Sequence, residues 1–134
     1  MKSLLGKIKV IQDNLKIIHR NLIGPGWQTD HPKFAEYYDK MSDLEDDIAE
    51  MRIMLGESDM NITEAVSYYK NAEVKKYTIV EGYTLAKKYF NDILDSLLIY
   101  RETVPCDCQS ELDTWVFWLR KEANYKIAHT LKTL

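Results

Sequence analysis

Hydrophobic residues recur every three or four positions along most of the chain, which is the spacing of one face of an α-helix. We predict four long amphipathic helices and a short helix between the second and the third. Their expected ranges are about 2–23, 31–55, 63–70, 76–102 and 109–132. No alternating pattern typical of a β-strand competes. The sequence therefore predicts an all-α four-helix bundle, built as a single domain over residues 1–134.

The boundaries of these helices follow from helix-breaking residues. Gly24-Pro-Gly26 ends the first helix, and Pro32 suits the first turn of the second, with Asp30 or His31 near its cap. The predicted core is formed by the apolar stripes of the long helices. These are Leu4, Ile8, Ile11, Leu15, Ile18 and Leu22; Phe34, Tyr37, Tyr38, Met41, Leu44, Ile48, Met51 and Leu55; Ile79, Tyr83, Ala86, Phe90, Ile93, Leu97 and Tyr100; and Leu112, Trp115, Trp118 or Leu119, Tyr125, Ala128 and Leu131.

Composition adds few constraints beyond this. The chain has 134 residues, of which 46% are hydrophobic and 29% charged, as in ordinary globular domains. The net charge of −3 argues against a nucleic-acid partner. The first ten residues are interrupted by Lys7 and Lys9, so they lack the apolar run of a signal peptide, and no stretch is apolar enough to span a membrane. We therefore expect a cytoplasmic protein.

The two cysteines, Cys106 and Cys108, are separated by one residue. A disulfide between them would close a very small, strained ring, so we expect reduced thiols in a loop. Two thiolates are half of a structural zinc site, and no second pair exists to complete one.

Four polar residues carry the candidate chemistry. His19 and His31 flank the turn-rich segment 21–30, while Asp46 and Glu50 are four residues apart on the second predicted helix. Imidazole and carboxylate groups are the ligands that suit iron and other first-row metals in mixed nitrogen–oxygen sites. On one helix, however, His31 and Asp46 would lie about 22 Å apart. If the four residues form one site, two copies of the chain must build it. Otherwise His19 is a helix-end residue and His31 a capping residue.

Residues 19–50 resemble the Dps-type miniferritins of the ferritin-like superfamily. The first half of the family pattern is His, Asn two residues later, an aliphatic residue, Gly, an aromatic residue, and His; here it is met by His19-Arg-Asn-Leu-Ile-Gly-Pro-Gly-Trp-Gln-Thr-Asp-His31. The second half is an acidic residue 15 positions after the second His and a Glu four positions further on, met by Asp46 and Glu50. The predicted helix layout also fits the family.

This resemblance implies a function. Such proteins form hollow cages of twelve subunits, oxidise Fe(II) with hydrogen peroxide or oxygen, store the ferric product and so limit oxidative damage; some also bind DNA. The resemblance implies that His19 and His31 from one chain and Asp46 and Glu50 from its two-fold partner form a ferroxidase centre for iron, or for another divalent metal such as Zn²⁺. Glu50 is the best candidate to bridge two irons.

Three departures from the family pattern bear on this function. The residue after the first His is usually Trp and here is Arg20; an acidic ligand is frequent where Ala35 stands, with Glu36 next to it; and a long Lys-rich tail is missing. The first two favour a second hypothesis, in which the chain is a non-enzymatic assembly or partner-binding protein with a degenerate site, and the third argues against DNA binding. A nucleoid-binding role without iron chemistry is a third hypothesis, against which the net charge argues.

The remaining polar and aromatic residues are interpreted more simply. Trp27 is expected to pack near the site, His129 to lie on the surface or in the core, and the lysines to be scattered surface charges. The acidic neighbours on the second helix are expected to form a solvated face, although Asp43 and Asp47 are candidates to support the site or line an iron path. By resemblance, carboxylates near the start of the last helix would line three-fold pores. The residues in question are Asp39, Asp43, Glu45 and Asp47; Lys7, Lys9, Lys16, Lys126 and Lys132; and Asp107, Glu111 and Asp113.

Overall fold

The computed structural model describes residues 2–134 of the chain and is predominantly helical. The elements in chain order are α1 (Lys2–Asn21), β1 (Leu22–Ile23), α2 (Trp27–Met54), α3 (Ile62–Ala65), β2 (Tyr77–Thr78), α4 (Ile79–Arg101), α5 (Cys106–Lys121), a π-helix (Glu122–Ile127) and α6 (Ala128–Thr133). Residues 2–79 form one compact unit, and Val80–Leu134 form a second. None of the helices in residues 2–134 is long and apolar enough to cross a membrane.

Helices α1 and α2 pack along each other in the first unit. All six apolar positions predicted for the first helix are buried, which confirms that stripe. On α2, Phe34, Tyr37 and Met41 are buried as predicted, whereas Leu55, directly after the helix, is 36% exposed. The packed faces of this helical hairpin place the end of α1 beside the start of α2.

The turn between α1 and α2 differs from the prediction. Helix α2 begins at Trp27, so the expectation that it starts near Pro32 was wrong, and His31 is a helical residue and not a cap. Gly24 and Gly26 adopt positive φ angles of 114° and 88°, which permit a tight turn directly before the helix. Pro32 is accommodated in the second turn, where its missing N–H costs one backbone hydrogen bond.

A short β-pair fixes the end of α1. Leu22 pairs with Tyr77 and Ile23 with Thr78 in a parallel arrangement, a contact that the sequence pattern did not predict. Two residues are too few to show an alternating pattern in the sequence. The pair shortens the first predicted helix and delays the start of α4 to Ile79.

The segment around α3 is held to α1 by buried contacts. Asn14, fully buried, donates from Nδ2 to the carbonyl of Lys70 at 3.0 Å and accepts from the N–H of Ala72 at 2.8 Å. A Cβ added to Gly6 would lie 2.7–2.9 Å from the Tyr68 side chain, so only glycine permits this approach. The short helix itself spans Ile62–Ala65, less than predicted, and is capped by the Asn61 side chain.

The apolar stripe predicted for α4 is buried. In the last predicted helix, the spacing of the buried residues changes along the chain. Pro105 caps α5, so Cys106 and Cys108 lie in its first turn and not in a loop; both are free thiols, and Cys108 is buried. The π-helix then shifts the register, because its backbone bonds span five residues and not four. Ile127 is therefore buried, whereas Tyr125, predicted as core, is 59% exposed.

Candidate metal centre

The structure brings His19 and His31 into direct contact. Their rings stack with centroids 3.8 Å apart and an interplanar angle of 19°. His19 Nδ1 lies 2.8 Å from the backbone carbonyl of His31, and His31 Nδ1 lies 2.9 Å from the carbonyl of His19. The two residues thus form a reciprocal clasp between the end of α1 and the start of α2.

This clasp decides which ring nitrogens are available. A carbonyl oxygen only accepts hydrogen bonds, so each Nδ1 must carry the hydrogen that it donates. In a neutral imidazole, the other nitrogen then holds a lone pair. Both His19 and His31 therefore keep Nε2 as a free metal-ligand atom, oriented by the backbone bond that the opposite nitrogen makes.

The surroundings of His19 favour the neutral ring. Partial burial lowers the pKa of His19 below its ordinary value of 6.5, and the charges of His31 and Arg20 lower it further. The hydrogen bond to the His31 carbonyl and the charge of Asp39 oppose that shift. Because a metal needs the deprotonated nitrogen, a lowered pKa favours metal binding at neutral pH.

Aromatic rings flank the histidine pair on both sides. Trp27 stacks on His31 with centroids 4.3 Å apart and an interplanar angle of 20°, which agrees with the expected packing of Trp27 near the site. Tyr38 meets His19 edge-on at 5.4 Å, and Lys16 lies over the Tyr38 ring at 5.7 Å. The apolar spacing predicted Tyr38 only as a core residue. Its position two helical turns after His31 was the available signal for a place beside the histidines.

Asp46 and Glu50 lie elsewhere on the same helix. Both are exposed, and they are one turn apart in the second half of α2. The regular helix from Trp27 to Met54 keeps Asp46 about 22 Å along the axis from His31. Across residues 2–134, no group of three or more His, Cys, Asp or Glu side chains is placed to hold a metal ion.

The other candidate residues do not add to this pair. Ala35 offers no ligand, and Glu36 forms an ion pair with Lys33 at 3.3 Å. Arg20 is exposed beside His19. His129 is exposed and bonds through Nδ1 to the Tyr125 carbonyl at 2.7 Å. In α5, Asp113 forms an ion pair with Arg101, and that contact lowers the pKa of the Asp113 carboxyl.

Solved structures with the same fold put this geometry in context. The antigen TpF1 from Treponema pallidum superposes with a TM-score of 0.85 at 20% identity, over 97% of this chain and 87% of TpF1. Dps from Staphylococcus aureus gives 0.80 at 20% identity, over 97% and 93% of the two chains. The chain has the fold of Dps proteins. A Dps protein from Bacillus brevis is also similar, with a TM-score of 0.73 at 22% identity over 98% and 89%.

These likenesses confirm the prediction of an all-α, ferritin-like bundle of the Dps type. They extend over nearly the whole chain, well beyond the segment 19–50 that carries the sequence resemblance. No family model and no curated protein sequence matches the chain. At this level of identity the Dps likeness concerns the fold, and the chemistry must be argued from the side chains.

Proposed function

We propose that this Dps-like chain binds Fe(II) at sites shared between two copies, oxidises it with hydrogen peroxide or oxygen, and stores the ferric product in the cytoplasm. The observation that carries the proposal is the reciprocal clasp of His19 and His31. It leaves the Nε2 atoms of two stacked imidazoles available as metal ligands, with the neutral form of His19 favoured by burial. Such an arrangement is typical of metal-ligating histidines, whose second nitrogen usually bonds to a carbonyl or carboxylate.

The carboxylates would come from a second copy. Asp46 and Glu50 are exposed on α2, where a neighbouring molecule can meet them, and the length of the helix keeps them from the histidines of their own chain. An antiparallel pairing of two α2 helices would bring the histidines of one copy to the carboxylates of the other, and by two-fold symmetry would form two such sites. A dimer is therefore the smallest functional unit, and a twelve-subunit cage is the assembly that the Dps fold suggests.

The chemistry suits paired iron substrates. Two Fe(II) ions give one electron each, and hydrogen peroxide takes both with two protons to become two water molecules, so no radical is released. Carboxylate oxygens favour the harder Fe(III) product over Fe(II), while the imidazoles hold Fe(II) at the start. Glu50, further along α2 than Asp46, is the candidate to contact both irons.

The test is ferrous oxidation by metal-free protein. Two Fe(II) per subunit are added without oxygen, peroxide follows, and ferric absorbance is recorded against a protein-free solution. We expect fast, saturable oxidation with a soluble product, and its loss in the double variant His31→Ala/Asp46→Ala while the assembly persists. The control is His129→Ala/Asp95→Ala, which removes the same groups at exposed positions outside the site. Unchanged rates in the first variant would overturn the site assignment.

One observation favours a second function. Arg20 places a fixed positive charge beside His19, and like charge opposes cation binding. The alternative is therefore a non-enzymatic assembly protein that keeps the fold for packing. Co(II) titration separates the two: an assembly that binds no Co(II), and oxidises iron no faster than buffer, would establish the alternative.

A further inference from the structure

Three large apolar side chains are exposed on α2: Trp27 at its start, and Ile53 and Met54 at its end, of which Met54 lies about 140° around the helix from His31. Trp27 is 43% exposed although its ring stacks on His31, and Ile53 is 54% exposed. Ile53 lies about 40° around the helix from His31, and Asp46 about 60°, so the three share one face. Trp27 lies about 40° to the other side of His31, so Trp27 and Ile53 border the face that holds the candidate ligands. Single exposed apolar side chains are common on protein surfaces, so the register and the charges of a second copy decide whether these two are covered.

The proposed metal site, shared between two copies, determines which residues of the second copy lie level with those of α2. To this extent the inference rests on the proposed function. In an antiparallel pair of identical helices, residues at the same level have numbers with a constant sum. For His31 to lie level with Asp46 and Glu50 of the second copy, that sum is about 77 to 81. Trp27 then lies level with residues at about 50–54 of the second copy, a range that includes Ile53.

The charges along the hairpin favour the same direction. Residues 39–50 of α2 carry six carboxylates and one lysine, a net charge of −5, whereas residues 27–38 carry a net charge of −1. On α1, Lys16 and Arg20 bring the net charge of the histidine end to +1, whereas Lys7 and Lys9, the latter paired with Glu45 at 3.6 Å, reduce the net charge of the acidic end only to −3. A parallel pairing would oppose two strongly acidic segments. The antiparallel pairing sets each acidic segment against the more basic end of the second copy.

We propose that Ile53 of a second copy packs against Trp27 and closes an apolar lid over the His19–His31 clasp. The indole then contacts His31 on one face and the Ile53 side chain of the second copy on the other. Such a lid excludes water from the imidazoles and gives Trp27 and Ile53 a joint role that neither can have within one chain, where about 39 Å of helix separates them.

The experiment is site-specific photo-cross-linking of the full chain. Ile53 is replaced by p-benzoyl-phenylalanine, and the matched control carries the same replacement at Ile99, which is 59% exposed on α4. Irradiation is expected to give a dimer that survives denaturation, with the cross-link in the peptide that contains Trp27, at a yield at least tenfold above the control. A cross-link to Trp27 must join two copies, because one helix holds the positions too far apart. A monomeric product, or a cross-link elsewhere, would overturn the lid.

A second measurement covers the case in which the bulky group prevents pairing. With 5-fluorotryptophan in the chain, the ¹⁹F resonance of Trp27, assigned from Trp27→Phe, reports solvent contact through its H₂O/D₂O shift. That shift should at least double in Ile53→Ala and stay unchanged in Ile99→Ala; equal shifts would refute the lid.

Co(II) titration of the same proteins separates the two proposals. Binding that needs His31 and Asp46 without the cross-link overturns the lid alone, and the cross-link without Co(II) binding overturns the metal function alone.

Discussion

His19 and His31 each donate a ring hydrogen to the other's backbone carbonyl, so the two residues orient each other. A prediction about protonation follows directly. Both neutral rings should be Nδ1–H tautomers. Long-range ¹H–¹⁵N spectra of metal-free protein above pH 7 distinguish the two ring nitrogens by chemical shift, and His31→Ala assigns the partner signal. An Nε2–H tautomer at either residue would contradict the clasp as described.

The lowered pKa of His19 predicts how acid affects the metal-free protein. A lowered pKa means that the unfolded chain binds a proton more readily than the folded one, so the stabilising contribution of the neutral ring is complete above pH 6.5 and is lost as pH falls through the folded pKa. His19→Asn keeps an N–H donor near the Nδ1 position but cannot titrate. Urea midpoints between pH 7.5 and 5 should fall more steeply for the natural chain than for His19→Asn. Parallel curves would contradict the assignment.

The positive charge of Arg20 should weaken metal binding. Arg20→Trp removes a charge beside His19 and should tighten Co(II) binding by roughly two- to fivefold at low salt, since a nearby exposed unit charge is worth up to about 1 kcal/mol in water. The difference should shrink at 1 M salt, where screening is strong. The control is Arg120→Trp, the same change at an exposed position of α5. Equal tightening in both variants would exclude a local charge effect.

Asn14 should be essential for the segment after α3. Asn14→Ala leaves the carbonyl of Lys70 and the N–H of Ala72 without their partner in a part-buried place, at a cost of about 1–3 kcal/mol in the free energy of unfolding. Asn124→Ala, which breaks an exposed amide pair with Asn91, should cost well under about 1 kcal/mol. Urea denaturation measures both. Similar costs would show that the hydrogen bonds of Asn14 stabilise the fold no more than those of an exposed amide pair.

The buried stripes were predictable because each long helix repeats its apolar face over many turns. Ile8, Leu15 and Phe90 follow that repeat and are buried. Two local features could not be predicted from that apolar repeat, for physical reasons. The β-pair at Leu22 is too short to show a period, and the π-helix moves Tyr125 outward by a change of backbone register that side-chain spacing does not reveal.

The candidate site was predictable in part. Helix length alone separated His31 from Asp46, and the turn between the first two helices placed His19 near His31. The mutual hydrogen bonds were not predictable, because they depend on helix α2 beginning at Trp27, one turn before His31. A glycine turn with two positive φ angles set that start, and the position of Pro32 in the sequence suggested a later one.

The clasp has a kinetic consequence for assembly. His19 and His31 are 12 residues apart, so closing that loop costs little chain entropy, whereas the pairing of Leu22 with Tyr77 must close a loop of 55 residues. The two histidine ligands can therefore be positioned early, within one helical hairpin. Under the proposed arrangement, the carboxylate ligands Asp46 and Glu50 are supplied only when a second chain docks. A newly made, unassembled chain would then hold an incomplete site, and the onset of iron oxidation would be timed by association and not by folding.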